Sequence, residues 1–335
     1  MKKPAMVITV ITAIILLGFG TRYFLKSRSP GSRGTESIAV AAVSDESSAP
    51  ILLAENQGYF LRNGLRVSLR NYGNGVAAIR AMKSAEADIS LSAEFPIVTE
   101  AFKKGAISII ACIDKYQPTY IVARKDRGIK KISDLKGKKI GAPHGSISKF
   151  YLGRFLDLHH MSIEDVTLVD IDPARPPLDE IANGSIDAVV SRQNVINPII
   201  KQLGVNYISW PVQSGQLTYL VMSCRKEWMA GHPETIRKFL KSLKEAEDYL
   251  IGHPDEAKAI VQKRLKYDDS YIASVWPQHQ FALSLDQSLI VAMKDEAQWM
   301  IDHNLTSEKQ IPDFVNYVYI EGLKTVKPEA VNIIR

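Results

Sequence analysis

The sequence predicts an α/β protein in which two lobes face a shared cleft. A helical segment, a short turn and an Asp-led apolar strand with a polar end occur at residues 78–94 and again at 177–193, with Asp88 and Asp187 in matching positions. Short apolar strands between helical segments are typical of buried parallel sheets, and ligands bind beyond the carboxyl ends of such strands. With 335 residues the chain is also longer than one typical core requires. Two such sheets favour a protein that closes around a small solute.

Hydrophobic periodicity and turn residues predict the elements that begin the first lobe. A buried strand is expected at residues 37–43, and residues 51–63 carry apolar side chains at helical spacing up to the cap pair Asn63-Gly64. Residues 65–70 alternate apolar and basic side chains, as an outer strand does. The turn Tyr72-Gly73-Asn74-Gly75 then leads into the first copy of the repeated helix.

The chain is predicted to pass between the lobes twice. Strands are expected at residues 107–113 and 120–123, the second of which leaves the first lobe, and a strand near 215–223 returns to it. From Glu227 onward the pattern is mostly that of amphipathic helices. These crossings predict three domains: an anchor and tether at 1–34, a first lobe at 35–122 plus 217–335, and a second lobe at 123–216.

The first 34 residues explain the basic charge of the chain. The protein has 42 Lys and Arg against 36 Asp and Glu, and six of the cations precede the first acidic residue, Glu36. The remaining body is formally neutral, which argues against a nucleic-acid binder because that function needs a basic face on the folded domain. The six cations are Lys2, Lys3, Arg22, Lys26, Arg28 and Arg33.

The N-terminus also contains a hydrophobic segment. The charge-free run at residues 4–21 is 18 residues long, which is the lower limit for a membrane-spanning helix. A retained signal anchor fits the flank that begins at Arg22, and a cleaved signal peptide fits the small residues of Gly18-Phe19-Gly20. Either alternative places the body in the periplasm or another extracytoplasmic compartment, and the first tethers it to the cytoplasmic membrane.

Four motifs in order resemble a known family. The chain from about residue 36 to 321 is similar to extracytoplasmic solute-binding proteins of ABC importers, in the NMT1-like class that serves nitrate, sulfonates, taurine and thiamine precursors. The resemblance implies a type II periplasmic-binding-protein fold with two hinge strands, and transport of a small anionic or zwitterionic solute to a permease and its ATPase. The motifs are Gly58-Tyr59-Phe60 with Gly64-Leu65-Arg66-Val67, Ala87-Asp88-Ile89, Ile132-Ser133-Asp134-Leu135-Lys136-Gly137-Lys138-Lys139-Ile140-Gly141, and Gly184-Ser185-Ile186-Asp187-Ala188.

The loop at residues 144–148 is the main ligand-site candidate. A Gly-containing turn that leads into a helix presents free amides and the positive end of the helix dipole, to which Ser146 and Ser148 add hydroxyls. The alternative is that one serine only caps its own helix. Arg192 ends the second repeated strand and offers a planar guanidinium to an oxyanion, unless it forms an interlobe salt bridge.

Glu94 ends the matching strand of the first lobe and favours an amine-bearing ligand. Together with Arg192 it would suit a zwitterion, or the two side chains could bond each other and hold the closed state. The loops around Ser44 and Asn74 are expected to border the same cleft. The complete expected ligand set is Ser44, Glu46, Asn74, Gly75, Ser92, Glu94, Phe95, His144, Gly145, Ser146, Ser148, Arg192 and Gln193.

The remaining motifs predict no catalysis. Cys112 and Cys224 lack metal or redox spacing and are interpreted as buried small residues or as one disulfide, and His159-His160 lacks a ligand partner at helical spacing. We therefore expect no metal, no cofactor and no enzymatic activity. Two alternatives remain open: a sensory or partner-binding protein of the same fold, and a thiamine-pyrimidine biosynthetic enzyme, for which His144 would be the pocket histidine.

Overall fold

A computed structural model describes residues 35–117, 119–143, 145–172 and 176–334. The predicted anchor and tether at 1–34 and the candidate ligand His144 lie outside the described residues. Across the part of the chain that is described, the model contains no helix with the length and hydrophobicity needed to span a bilayer.

Two five-stranded sheets form the framework, both within one compact unit that starts at Glu36. The first sheet has the order β2-β1-β3-β10-β4 and the second the order β7-β6-β8-β5-β9. The strands of the first sheet are β1 (Glu36–Ala42), β2 (Leu65–Asn71), β3 (Ile89–Ala93), β4 (Ile107–Tyr116) and β10 (Thr218–Arg225). Those of the second are β5 (Thr119–Arg124), β6 (Lys139–Ala142), β7 (Thr167–Asp170), β8 (Ala188–Arg192) and β9 (Tyr207–Pro211).

Each sheet combines parallel strands with an antiparallel strand that follows a crossing. β1 pairs in parallel with β2 and β3, and β6 pairs in parallel with β7 and β8. β10 lies antiparallel between β3 and β4, and β5 lies antiparallel between β8 and β9. This topology agrees with the predicted fold of two α/β lobes joined by two crossings; the domain bounds themselves stay a prediction.

Helices cover both sheets and form most of the C-terminal part. They are α1 (Ala49–Asn56), α2 (Tyr59–Arg62), α3 (Gly75–Lys83), α4 (Phe95–Phe102), α5 (Ile147–Leu158), α6 (Leu178–Asn183), α7 (Gln193–Leu203), α8 (Lys226–Gly231), α9 (Pro233–Gly252), α10 (Pro254–Leu265), α11 (Asp269–Val275), α12 (Gln287–Asp302) and α13 (Ile320–Val326). Four helices begin close to the end of a strand. Helices α4 and α7 follow β3 and β8 almost directly, and α3 and α5 follow short loops after β2 and β6.

The repeated aspartates have the same role in the two lobes. The Oδ2 atom of Asp88 accepts a hydrogen bond from the amide of Ala39 at 2.8 Å, and the Asp88 amide donates to the Ala39 carbonyl at 2.8 Å. Asp187 repeats both bonds with Lys139, at 3.0 and 2.8 Å. Each aspartate therefore fixes the start of its strand, β3 or β8, against the neighbouring parallel strand.

One buried amide connects the two crossings. The Oε1 atom of Gln213 accepts from the amide of Thr119 at 2.9 Å, while its Nε2 donates to the Tyr116 carbonyl and the Thr218 hydroxyl, both at 3.2 Å. Tyr116 and Thr119 flank the outgoing crossing, and Gln213 and Thr218 lie on the return. The hydroxyl of Tyr151 on α5 adds a 2.7 Å bond to Thr218.

The cysteines are buried side chains and are not bonded to each other. Cys112 lies on β4 and Cys224 on β10, and both thiols are free. Burial raises the pKa of each thiol to about 12, so neither is a reactive thiolate at neutral pH.

Helix α5 of the second lobe packs closely against the first lobe. Phe150 stacks on Phe95 with ring centroids 5.8 Å apart, and its ring meets Trp299 of α12 edge-on at 5.4 Å. Gly153 faces the same indole, and a Cβ atom there would overlap the Cζ2 atom of Trp299. The absence of a side chain at this position is what allows the two helices to approach.

We expect Gly153→Ala to destabilise the protein by on the order of 2 kcal/mol, because the added methyl forces α5 away from Trp299 in a packed interface. Urea unfolding followed by circular dichroism measures the change. Gly252→Ala is the matched control, since a Cβ atom there meets nothing within 4 Å. Equal stability of the two variants would contradict this account of the interface.

Candidate functional site

An inner cavity of about 90 Å³ lies where the carboxyl ends of strands from both sheets meet. Its wall combines residues of the first lobe with residues of the second, as expected for a cleft between two α/β lobes. The wall consists of Asn74, Gly75, Val76, Ser92, Ala93, Pro96, Tyr116, Pro143, Ser146, Ile147, Ser148, Ile171, Asp172, Ser191, Arg192, Val195 and Leu220.

The candidate ligand residues divide into two groups in the structure. Six of them line the inner cavity: Asn74, Gly75, Ser92, Ser146, Ser148 and Arg192. Six others are described but lie elsewhere: Ser44, Glu46, Glu94, Phe95, Gly145 and Gln193. Their assignment as ligand residues stays a prediction in both groups.

The start of α3 brings backbone amides to the first-lobe side of the wall. The Asn74 side chain caps this helix by accepting a hydrogen bond from the Ala77 amide at 2.8 Å. At Gly75, an added Cβ would lie 2.8 Å from the Cβ of Ser92 on β3. Glycine therefore lets the helix start rest directly on the strand, and Gly75 and Val76, whose amides have no acceptor in the helix, lie on the cavity wall.

The start of α5 forms part of the second-lobe side of the wall. Ser146 occupies the N-cap position, but its hydroxyl donates to the Pro143 carbonyl at 2.7 Å and accepts no hydrogen bond from the helix amides. The simple capping alternative is therefore not what the geometry shows. Ile147 and Ser148 follow on the cavity wall, and the buried Ser148 side chain has no hydrogen-bond partner among the described residues.

Arg192 spans the cleft to a partner other than the one we expected. Its Nη1 atom forms an ion pair with Oδ2 of Asp45, which lies in the loop after β1 in the first lobe. Asp45 is almost fully buried, and its other carboxylate oxygen accepts from the Ser47 amide at 3.1 Å. The interlobe salt bridge that we considered for Arg192 is thus formed with Asp45 and not with Glu94.

Glu94 lies behind the wall, beside a second carboxyl group. Its Oε2 atom accepts from the Tyr219 amide at 3.0 Å, and the carboxyl of Glu296 on α12 lies beside it in a site with no solvent access. Burial raises the pKa of Glu94 to about 8, and burial together with Glu94 raises that of Glu296 well above the usual range. No cation pairs with either carboxyl among the described residues, so the pair holds a proton at neutral pH and does not present a carboxylate to the cleft.

Glu46 belongs to a separate buried network. Its carboxylate accepts from the hydroxyls of Tyr267 at 2.9 Å and Tyr271 at 3.1 Å, and the Nε2 atom of His279 lies 3.9 Å away. The Nδ1 atom of His279 lies 2.6 Å from Asp114 Oδ2. Burial opposes both charges, but the two carboxylates raise the pKa of His279 to about 9, and His279 lowers that of Glu46 to about 2.

The other candidates outside the wall have structural contacts. The Ser44 amide donates to Asn71 Oδ1 at 3.0 Å, and Phe95 belongs to the α5 contact described above. Gln193 reaches Ser274 at 3.3 Å and Gln278 at 3.1 Å, which ties α7 to the C-terminal part of the chain. Gly145 lines a neighbouring space at the mouth of the cleft.

Several wall residues were not identified from the sequence. Ser191 directly precedes Arg192 at the end of β8, so the same strand-end argument could have included it. Tyr116 ends β4 beside the crossing, and nothing in its local sequence distinguishes it from a core tyrosine. Within the described ranges, no cluster of three or more His, Cys, Asp or Glu side chains could hold a metal ion.

Comparisons with known proteins identify the family and the fold. The family model described as NMT1/THI5 like matches residues 45–257. A relative named as a binding protein in Brucella abortus is 26% identical over 64% of this chain and 67% of its own length. A Saccharomyces cerevisiae relative named 4-amino-5-hydroxymethyl-2-methylpyrimidine phosphate synthase is 25% identical over 84% of this chain and 86% of its own.

A similar solved structure confirms the fold. The periplasmic aliphatic sulphonate-binding protein SsuA of Escherichia coli superposes with a TM-score of 0.69, at 15% identity, over 85% of this chain and 97% of that one. At this identity the likeness establishes the type II periplasmic-binding-protein fold of the two lobes.

We expect the Glu94–Glu296 pair to make stability fall as pH rises. The folded pair keeps protons that the unfolded chain releases above a pKa of about 4.5, so the free energy of unfolding decreases between about pH 4.5 and 8. Glu296→Gln removes one of the two acids and keeps a hydrogen-bond donor for Glu94. The variant should be more stable than the wild type at pH 9, by on the order of 2 kcal/mol, with little difference at pH 4.

Urea unfolding at pH 4 to 9 measures this difference, with Glu308→Gln on the exposed surface as the control. A Glu296→Gln variant that is less stable than the wild type by the same amount at every pH would show that the pair carries no pH-dependent proton.

Proposed function

Because this chain belongs to the NMT1/THI5-like family, we propose that it is the solute-binding subunit of an ABC importer. Outside the cytoplasm it captures a small anionic or zwitterionic solute in the inner cavity, and it delivers this solute to the permease of a permease and ATPase complex. Candidate solutes are a sulfonate, a taurine-like compound, nitrate or a heterocyclic precursor. Residues 4–21 would tether it to the cytoplasmic membrane.

The observation that supports this proposal most strongly is the meeting of two helix starts at one cavity. Helices α3 and α5 come from different lobes, and their first residues, Gly75-Val76 and Ile147-Ser148, line the same 90 Å³ space. Amides of a helix first turn bind anions through hydrogen bonds and the helix dipole. The hydroxyls of Ser148 and Ser191 and the guanidinium of Arg192 add donors to the same wall.

Closure around the solute follows from the distribution of these donors. A solute held first by the amides of one lobe gains the contacts of the second lobe only when the cleft closes, so binding favours the closed state. The Arg192–Asp45 ion pair, which joins the end of β8 to the loop after β1, also stabilises closure. Because Asp45 is buried, an anion that approaches Arg192 competes with a carboxylate already in place.

An enzymatic role in thiamine-pyrimidine synthesis is the second candidate, which the named activity of the yeast relative favours. This role needs an accessible histidine in the cavity. His279 is buried between Asp114 and Glu46, which leaves His144 as the residue on which this alternative depends. Loss of pyrimidine formation in a His144→Asn variant would favour this role; a wild-type protein that forms no product would count against it.

The sensory or partner-binding alternative uses the same cleft without a permease.

We expect Ser148→Ala to weaken solute binding about five- to tenfold, because it removes one hydroxyl donor from the cavity wall. Native mass spectrometry of the protein as purified identifies any retained solute, and calorimetry with taurine, ethanesulfonate and nitrate measures the affinities. Ser307→Ala is the control, since Ser307 is exposed, lies outside the wall and is not among the candidate ligand residues. Equal losses in both variants, or no binding of any solute by the wild type, would contradict the proposal.

A further inference from the structure

We propose that the solute is elongated and carries a second oxyanion, which binds in a cationic outer pocket at the mouth of the cleft while the other end occupies the inner cavity. This inference rests on the proposed function and specifies the class of solute. The outer pocket has a volume of about 340 Å³ and is lined by Val76, Ile79, Arg80, Lys83, Pro96, Thr99, Glu100, Lys103 and Gly145.

The outer pocket adjoins the inner cavity. Val76 at the start of α3 and Pro96 at the start of α4 line both spaces, so the two share this part of their walls. The inner cavity, at about 90 Å³, holds only a small group. A solute with one end in the inner cavity therefore extends past Val76 and Pro96 into the outer pocket.

The charge of the outer pocket is not balanced by its own residues. Three cations, Arg80, Lys83 and Lys103, face one carboxylate, Glu100, which leaves a formal charge of +2. Glu100 is shared by both lysines: Lys83 pairs with Oε2, and Lys103 lies 3.3 Å from Oε1. The guanidinium of Arg80 has no hydrogen bond or ion pair within the part of the chain that the structure describes.

The inner cavity, unlike the outer pocket, has no unbalanced positive charge. Arg192 is already neutralised by Asp45, and Asp172 adds a carboxylate to the wall. The inner wall thus offers amides and hydroxyls but no excess of positive side chains. A sulfonate, carboxylate or phosphate at the far end of the solute finds its complementary charge outside, where the unpaired guanidinium of Arg80 presents a planar pair of donors.

The test compares probes that differ only in the second oxyanion. Calorimetry with propane-1-sulfonate against propane-1,3-disulfonate, and with butanoate against glutarate, gives the affinity ratio of dianion to monoanion. For the full-length wild type we expect the dianion of at least one pair to bind about tenfold more tightly. Arg80→Gln should reduce this ratio to about twofold. Arg66→Gln, which removes an exposed cation of β2 outside the pocket, should leave the ratio unchanged.

The outcomes separate this inference from the proposed function. Equal affinity for monoanions and dianions in the wild type would overturn the inference and leave solute binding intact. An equal fall of the ratio in Arg80→Gln and Arg66→Gln would overturn it as well, because the effect would then be one of net charge. No binding of any probe would overturn the proposed function, and the inference with it.

Discussion

The buried amide of Gln213 holds together the two places where the chain passes between the sheets. Three of its hydrogen bonds reach Thr119 and Tyr116 on one crossing and Thr218 on the other, so the crossings cannot separate independently. Because β5 and β10 continue from these crossings and each pairs with two neighbouring strands of its sheet, the position of each sheet depends on them. The helix starts of α3 and α5 meet at one cavity as a consequence of this geometry.

The environment assigns different charge states to the buried carboxyl groups near the cleft. Asp45 and Glu46 are both buried and charged, because Arg192 pairs with the first while two tyrosine hydroxyls and His279 surround the second. Glu94 is equally buried but meets another acid, Glu296, and no cation, so it keeps a proton. The cleft is therefore bordered by charge pairs that are already neutralised, and its excess positive charge lies at the mouth.

The sequence supports the fold better than the details of the site. The repeated Asp-led strands were recognisable because the hydrogen bonds of Asp88 and Asp187 are made to the neighbouring strand in the same way, which requires the same local sequence twice. Cavity residues at strand ends and helix starts, such as Asn74, Ser148 and Arg192, follow from this repetition. The positions of Glu94 and Glu46 could not be predicted from the sequence. Glu94 meets Glu296, and Glu46 meets Tyr267 and His279, and these partners lie about 200 or more residues further along the chain. No local sequence pattern indicates such contacts.

The contact between Trp299 and helix α5 also has an optical consequence. The indole is almost fully buried, with Phe150 edge-on at 5.4 Å and Gly153 in close contact with the ring. If α5 moves away with the second lobe, water reaches this ring, and the fluorescence emission of Trp299 shifts to longer wavelength. Trp210, Trp228 and Trp276 are only partly buried and lie away from this contact, so they contribute a steadier background. The protein thus contains an intrinsic fluorescent reporter of the opening of its own cleft.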